Sequence, residues 1–345
     1  MSGATIFDVA KAAGVSPSTV SRALNNGAVS QRTKERIGRL ADQLGYRPAS
    51  ATARDSAPSR RGVLGLLLTD IGNYYFTDAL KGVFSMAQSR GYRLEVMDVT
   101  LADDVDDAMR TLVETTDGQL LFSPRIDDAR IARWFSPRTA VLASRVFDGF
   151  PSVVMNDRDG IVQAVRHLAS LGHRRVAYVG GSETSWSNEV RRDAFTDSCA
   201  VYGIEGVLLG PFEPSYAGGA AAADALMLEG GVTGAVAFND LVAGGLMGVL
   251  QGRGVSIPGD MSIVGVDDSV LSRVVRPQLT TVDIRQERMG TLATQMLIDR
   301  LEAAADADAG AGAGDGDASG RPPAVVVPEL LIARDSTGRA PVDRR

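Results

Sequence analysis

At 345 residues the chain is too long for one compact domain of ordinary size, and a hydrophobic content of 44% is ample for soluble cores. One cysteine, Cys199, excludes an internal disulfide framework, and no run of about 18 apolar residues is available to span a membrane. The net charge of −6 would argue against nucleic acid, but residues 1 to 61 hold ten Arg and Lys against four Asp and Glu, which is +6 there and −12 over the rest.

Ile6, Val9, Ala10 and Ala13 fall on one apolar helical face, and Thr5 with Asp8 forms a capping box, so a first helix begins at about Ile6. Gly14 stops it, and Ser16-Pro17 opens a second helix with serine as N-cap and proline at its first position. Val20, Ala23 and Leu24 turn inward. Pro17, Ser18, Thr19, Ser21, Arg22 and Asn25 are left outward, a polar face with one guanidinium and no carboxylate, suited to phosphates and base edges in a major groove. The spacing of Ala10, Gly14 and Val20 is that of a helix-turn-helix, although any small helical hairpin would show part of it. A third helix at about 31 to 44, capped by Ser30 and carrying Ile37, Leu40, Ala41 and Leu44, closes an all-α head over residues 1–47. Residues 48–62 are small and polar and read as a linker.

From Val63 the period changes. Apolar strands at 63–68 and near 93–98, 119–122, 140–143, 175–179, 207–209, 233–238 and 261–266 mostly alternate with helical stretches near 77–90, 103–115, 159–171, 188–202, 216–229, 241–252 and 286–304. Such alternation over residues 63–337 predicts an α/β body with two parallel sheets. Ligands of open α/β sheets sit beyond the carboxyl ends of strands, which singles out the stretch from Asp70 to Phe76, Asn239-Asp240 and Asp267-Asp268, with Arg191 and Trp186 on and near a following helix. Amides, carboxylates, an arginine and aromatic rings suit a polar ligand rather than catalysis, though Asn239 or Asp267 alone would serve as a helix N-cap and Arg191 alone as a solvated charge. Residues 303–320 are low in complexity and are expected to be a disordered loop.

The run Ala10 to Asn26, then Arg36-Ile37 and Leu44-Gly-Tyr-Arg-Pro48, resembles the N-terminal signature of the lactose-repressor (LacI) family of bacterial regulators. Leu171 to Gly181, Ala237-Phe-Asn-Asp240, Val264-Gly-Val-Asp-Asp268, Pro277 to Val282 and Pro328 to Thr337 resemble the effector domains of that family in order and spacing. The resemblance implies a periplasmic-binding-protein-like body of two subdomains, about 63–157 plus 284–312 and 158–283 plus 313–337, with strands crossing near 155–160, 283 and 315. It implies effector contacts at Asn73, Tyr75, Phe76, Arg145, Trp186, Arg191, Phe212, Asn239 and Asp267, and DNA contacts at Thr5, Ser16, Pro17, Ser18, Thr19, Ser21, Arg22, Asn25 and Arg54. Three features depart from the family: no leucine lies between Pro48 and Leu64 to wedge a minor groove, Tyr74 replaces the usual proline, and Asn156-Asp157 reverses the common order.

The expectation is a ligand-responsive repressor of carbohydrate-use genes, binding a pseudo-palindromic operator as a homodimer and responding to a small polar effector, a sugar or sugar derivative. No charged-then-apolar leader precedes the head, so a cytoplasmic protein is expected, and the tail beyond Thr337 carries no heptads for a tetramer. No phosphate loop, nucleophile elbow or clustered metal ligands support an enzyme or a cofactor, and His167 and His173 lie on a helix and its exit. A free-standing solute receptor shares the body but not the head.

Overall fold

The computed structural model describes residues 6–16, 19, 20, 23, 29–43, 61–309 and 324–341. The chain divides into two units, Met1–Arg61 and Gly62–Arg345.

In the first unit the helix Ile6–Ala13 stops at Gly14, whose φ of +64° suits a residue without Cβ. Ser16 then caps the next helical turn, its Oγ accepting from the Thr19 amide at 3.2 Å, and Ser30 does the same for Thr33 at 3.3 Å ahead of the helix Gln31–Gln43. Val9, Ala10, Ala13, Val20, Ala23, Ile37 and Ala41 form the core. Small residues dominate it, which lets short helices cross closely. Arg36 donates from its guanidinium to the Ala13 carbonyl, placing a cation on the end of the first helix.

The second unit holds two six-stranded sheets. The first contains β1 (Val63–Leu68), β2 (Arg93–Asp98), β3 (Gly118–Phe122), β4 (Ala140–Ala143), β5 (Ser152–Met155) and β11 (Ala324–Val327), ordered β11-β5-β4-β3-β1-β2 and parallel throughout. The second contains β6 (Arg175–Val179), β7 (Glu205–Leu209), β8 (Gly234–Ala237), β9 (Ser262–Val266), β10 (Thr280–Asp283) and β12 (Leu330–Ile332). Its order is β12-β10-β9-β8-β6-β7, with only β12 antiparallel to its neighbour β10. The interior strands are almost wholly buried, as parallel strands covered on both faces must be, and the edge strands are more exposed.

The chain passes between the sheets three times, after β5, after β10 and between β11 and β12. The third passage corrects the sequence expectation near 315. Ala324–Val327 still pairs with β5 in the first sheet, so the crossing falls at Pro328-Glu329, where proline has no amide to extend the ladder. Residues 303–309, expected in a loop, instead continue the helix Gln286–Ala309, because alanine is the strongest helix former. The remainder of that low-complexity stretch lies outside the described residues. The helix expected from 77 starts at Tyr74, and Asp128–Trp134 and Val270–Val274 are helices too short to show a clear period.

Each sheet is backed by a close helix pair. A Cβ on Gly82 in the helix Tyr74–Ser89 would lie 2.0 Å from the Glu287 carbonyl oxygen. One on Gly245 in the helix Asp240–Gly252 would lie 1.9 Å from that of Tyr216. Among the described residues no helix is long and apolar enough to cross a membrane.

Candidate functional site

A cavity partly open to solvent lies between the carboxyl ends of the two sheets. The first sheet supplies one wall. Asn73 caps the helix Tyr74–Ser89, its Oδ1 accepting from the Tyr75 amide at 3.0 Å, and this geometry turns Tyr75 and Phe76 inward at the first turn. Their rings meet edge to face with centroids 4.9 Å apart. The Tyr75 hydroxyl is hydrogen-bonded to Ser144 Oγ, and burial raises its pKa above the usual phenol range. Tyr74 itself is exposed, since the first helical position points away from the cavity. Ser123 and Arg125, which follow β3, and Met155, which ends β5, complete this wall.

The second sheet supplies the other. Ser185 caps the helix Trp186–Tyr202, accepting from the Asn188 amide at 3.2 Å, and Ser187 and Arg191 face inward from that helix. Arg191 is buried and anchored through two of its nitrogens. Its Nε donates to Asp157 Oδ1 at 2.5 Å, its Nη1 donates to the Phe238 carbonyl at 2.7 Å, and its guanidinium stands 5.0 Å from the Phe238 ring centroid. Asn239 caps the helix Asp240–Gly252 through the Val242 amide at 2.9 Å and donates from Nδ2 to the Pro214 carbonyl at 3.3 Å.

Asp267 closes the wall after β9 with a φ of +124°, a strained conformation for a residue with a side chain. Its backbone is held by the Val282 carbonyl, which accepts from its amide, and by Gln286 Nε2, which donates to its carbonyl. Asp268, also at positive φ, is anchored to Arg334 and to Arg273, the latter at 2.6 Å. Thus Asp267 is aimed into the cavity by its neighbours, while its own carboxyl group makes no hydrogen bond to a described residue. Burial, then the charge of Asp240, holds that carboxyl well above the usual carboxylate range, partly offset by Arg191.

Behind Arg191 sits a second buried acid. Glu329, in the third crossing, is pushed up to about 9 by burial and then by Asp157. Its Oε1 and Asp157 Oδ2 have no partner, and a Cβ on Gly160 would lie 1.8 Å from its Oε2. One guanidinium therefore faces three buried acids, and burial holds two of them, Asp267 and Glu329, toward their protonated forms.

Of the effector contacts implied by resemblance, Asn73, Tyr75, Phe76, Arg191, Asn239 and Asp267 line this one cavity. Arg145 does not. It clamps the neighbouring loop that follows β3, donating to the Pro124 and Ile126 carbonyls at 2.9 and 2.6 Å and pairing with Asp128. Trp186 lies between two lining serines without lining the cavity, and Phe212 borders an open groove with Ser182, Glu213 and Ser215. Ser123, Arg125, Met155, Ser185, Ser187 and Phe238 are lining residues not named from sequence. The rule that points to residues just past strands reaches Ser123 and Arg125 as well, but the serines at 185 and 187 carry no signal of their own. His173 is a staple, with Nδ1 paired to Thr233 Oγ1 at 2.9 Å and Nε2 to the Gly338 carbonyl at 3.1 Å.

In the head, Ser16 and Thr19 are described, joined Oγ to Oγ1 at 2.9 Å as part of the cap. Thr5, Pro17, Ser18, Ser21, Arg22, Asn25 and Arg54 lie outside the described residues.

Comparison with known proteins places both units. The model for bacterial regulatory proteins of the lacI family matches residues 5–49, and that for the periplasmic binding protein-like domain matches residues 165–337. The HTH-type transcriptional regulator GalR of Escherichia coli (strain K12) is 32% identical over 306 residues, covering 86% of this chain and 88% of GalR. The HTH-type transcriptional repressor PurR of Vibrio cholerae serotype O1 (strain M66-2) is 30% identical over 311 residues, covering 87% of this chain and 92% of that protein. In fold, the lac repressor dimer bound to operator and the anti-inducer ONPF matches with a TM-score of 0.71 at 22% identity, over 98% of this chain and all of that one. The regulator CelR in complex with cellobiose matches with a TM-score of 0.68 at 24% identity, over 96% of this chain and 99% of that one. With a helix-turn-helix head, a two-sheet body and relatives of this kind over most of its length, the chain belongs to the LacI family of bacterial DNA-binding transcriptional regulators.

Proposed function

We propose that this regulator is a repressor of carbohydrate-use genes that binds a pseudo-palindromic operator as a homodimer, and that a sugar or sugar derivative in the cavity adjusts its operator affinity. The observation that carries the effector site is the cavity itself: polar groups drawn from both sheets converge there with the rings of Phe76 and Phe238, a surface for hydroxyls and for the apolar face of a sugar ring. Three crossings join the two walls, so a ligand that prefers one angle between the sheets shifts the population toward it, and the same free energy appears in operator affinity. GalR and PurR are named as transcriptional regulators, and CelR was solved with cellobiose, which supports this reading by likeness.

Selection of bound duplexes from a random DNA pool at about 150 mM salt tests it, since nonspecific phosphate contacts are weakened there. A symmetric site is expected to emerge, and Arg22→Ala is expected to lose at least about tenfold in affinity for it while effector binding is unchanged. Sequence-blind binding by the unaltered protein, or equal operator affinity in the variant, would count against the assignment.

A further inference from the structure

Two guanidiniums line the cavity, and they are in opposite states. Arg191 is anchored by Asp157, the Phe238 carbonyl and the Phe238 ring. Arg125 lines the same cavity with no hydrogen bond and no ion pair to any described residue. Arg145, past the end of the adjacent strand β4, shows what a structural arginine looks like in this protein, with two carbonyls and a carboxylate on its fork. A guanidinium carries five donors and stays ionised, so one that is largely withdrawn from water without acceptors lacks partners that a ligand can supply. Burial accordingly works against its charge, with only the more distant Glu213 and Asp70 favouring it.

A second, independent observation points the same way. Ser187 is 6% exposed, lines the cavity, and its Oγ has no hydrogen-bond partner. A buried hydroxyl without a partner is unfavourable, and an acceptor on a ligand would relieve that cost. The carboxyl that lines the cavity does not oppose a negative ligand. Asp267 is held toward its protonated form by burial and by Asp240, and in that form it donates a hydrogen bond rather than repelling.

We propose that Arg125 is the specificity-determining residue of the effector cavity and receives an oxyanion, so that the effector is a sugar acid or sugar phosphate rather than a neutral sugar. This rests on the cavity being the effector site. Its chemistry is that of charge-assisted, two-pronged recognition of a carboxylate or phosphate, with Phe76 and Phe238 left for the ring and Asn73, Asn239 and Asp267 for hydroxyls.

Calorimetric titration of the full chain with matched hexose series, in which galactose and glucose are each compared with their 6-carboxylate and 6-phosphate, tests this. The anionic member is expected to bind about tenfold or more tightly than its neutral parent, and the stronger of the two anions identifies the oxyanion. In Arg125→Met the ratio of anionic to neutral affinity is expected to fall to about one; the side chain makes no hydrogen bond or ion pair to a described residue, so an unaltered melting temperature serves as the folding control. Glu213→Gln is expected to leave anion binding equal or tighter. Neutral hexoses binding as tightly as the anions would overturn the proposal and leave the effector cavity standing. Equal weakening of all ligands by Arg125→Met and by Glu213→Gln would also overturn it, making Arg125 a latch to Glu213. If no member binds the unaltered protein at about 10 mM, far above ordinary effector affinities, the proposal falls together with the effector reading of the cavity.

Discussion

The two walls of the cavity are built on opposite plans. On the wall from the second sheet the polar side chains are mostly anchored, Arg191 on Asp157 and Phe238, Asn239 on the Val242 amide and the Pro214 carbonyl, and the backbone of Asp267 on Val282 and Gln286, with the Ser187 hydroxyl and the Asp267 carboxyl left for a ligand. On the wall from the first sheet, Asn73 and Tyr75 are tied down, but Arg125 is not. A pinned wall holds its shape before a ligand arrives and sets geometry, while an unspent charge sets which ligand is chosen. Preorganisation and selectivity are thus assigned to different residues, and a chain can change its effector at Arg125 without rebuilding Arg191.

The largest effect should come from breaking the pinned wall. Arg191→Met leaves Asp157, Asp267 and Glu329 buried with no cation among them, and is expected to cost about 3–5 kcal/mol of body stability by urea unfolding, in contrast to the unaltered stability of Arg125→Met. Equal stability of the two variants would erase the distinction between the walls.

A smaller, pH-dependent effect is expected at Glu329. Its carboxyl is held up to about 9 in the fold against an ordinary value of 4.5, so between those limits the native state keeps a proton that the unfolded chain has released. Stability from this group is therefore complete below about 4.5 and is lost as pH rises toward 9. Glu329→Gln should melt close to the parent near pH 4.5 and be more stable by at least ~1 kcal/mol near pH 8. Parallel melting curves across that range would show that the acid is not paying for burial.

The smallest effect concerns the other wall. Tyr75→Phe removes one buried hydrogen bond to Ser144, which retains Met155 and Met289 sulfur neighbours, so a loss of about 1 kcal/mol or less is expected in thermal unfolding. Effector affinity should stay within about threefold, since the hydroxyl is spent inside the wall and the ring edge remains. A tenfold loss would instead assign the hydroxyl to the ligand.

Residue pattern by itself determined a great deal. Apolar spacing, Gly14, Ser16 and Ser30 located the helices of the head, and the alternation from Val63 located most strands and helices of the body, because caps, glycines and periodicities act over a few neighbouring residues. Post-strand position and likeness to a family brought out Asn73, Asn239 and Asp267, since a strand's carboxyl end is readable locally. Only the tertiary structure decided which of those side chains are already spent. That Arg191 is anchored, that Arg145 clamps the loop after β3 and that Arg125 has no partner among the described residues depends on Phe238, Pro124 and Glu213, residues far apart in sequence or on the other sheet. The third crossing at Pro328-Glu329 was likewise decided by pairing with β5, some 170 residues earlier, and a partner at that separation leaves no trace in local spacing.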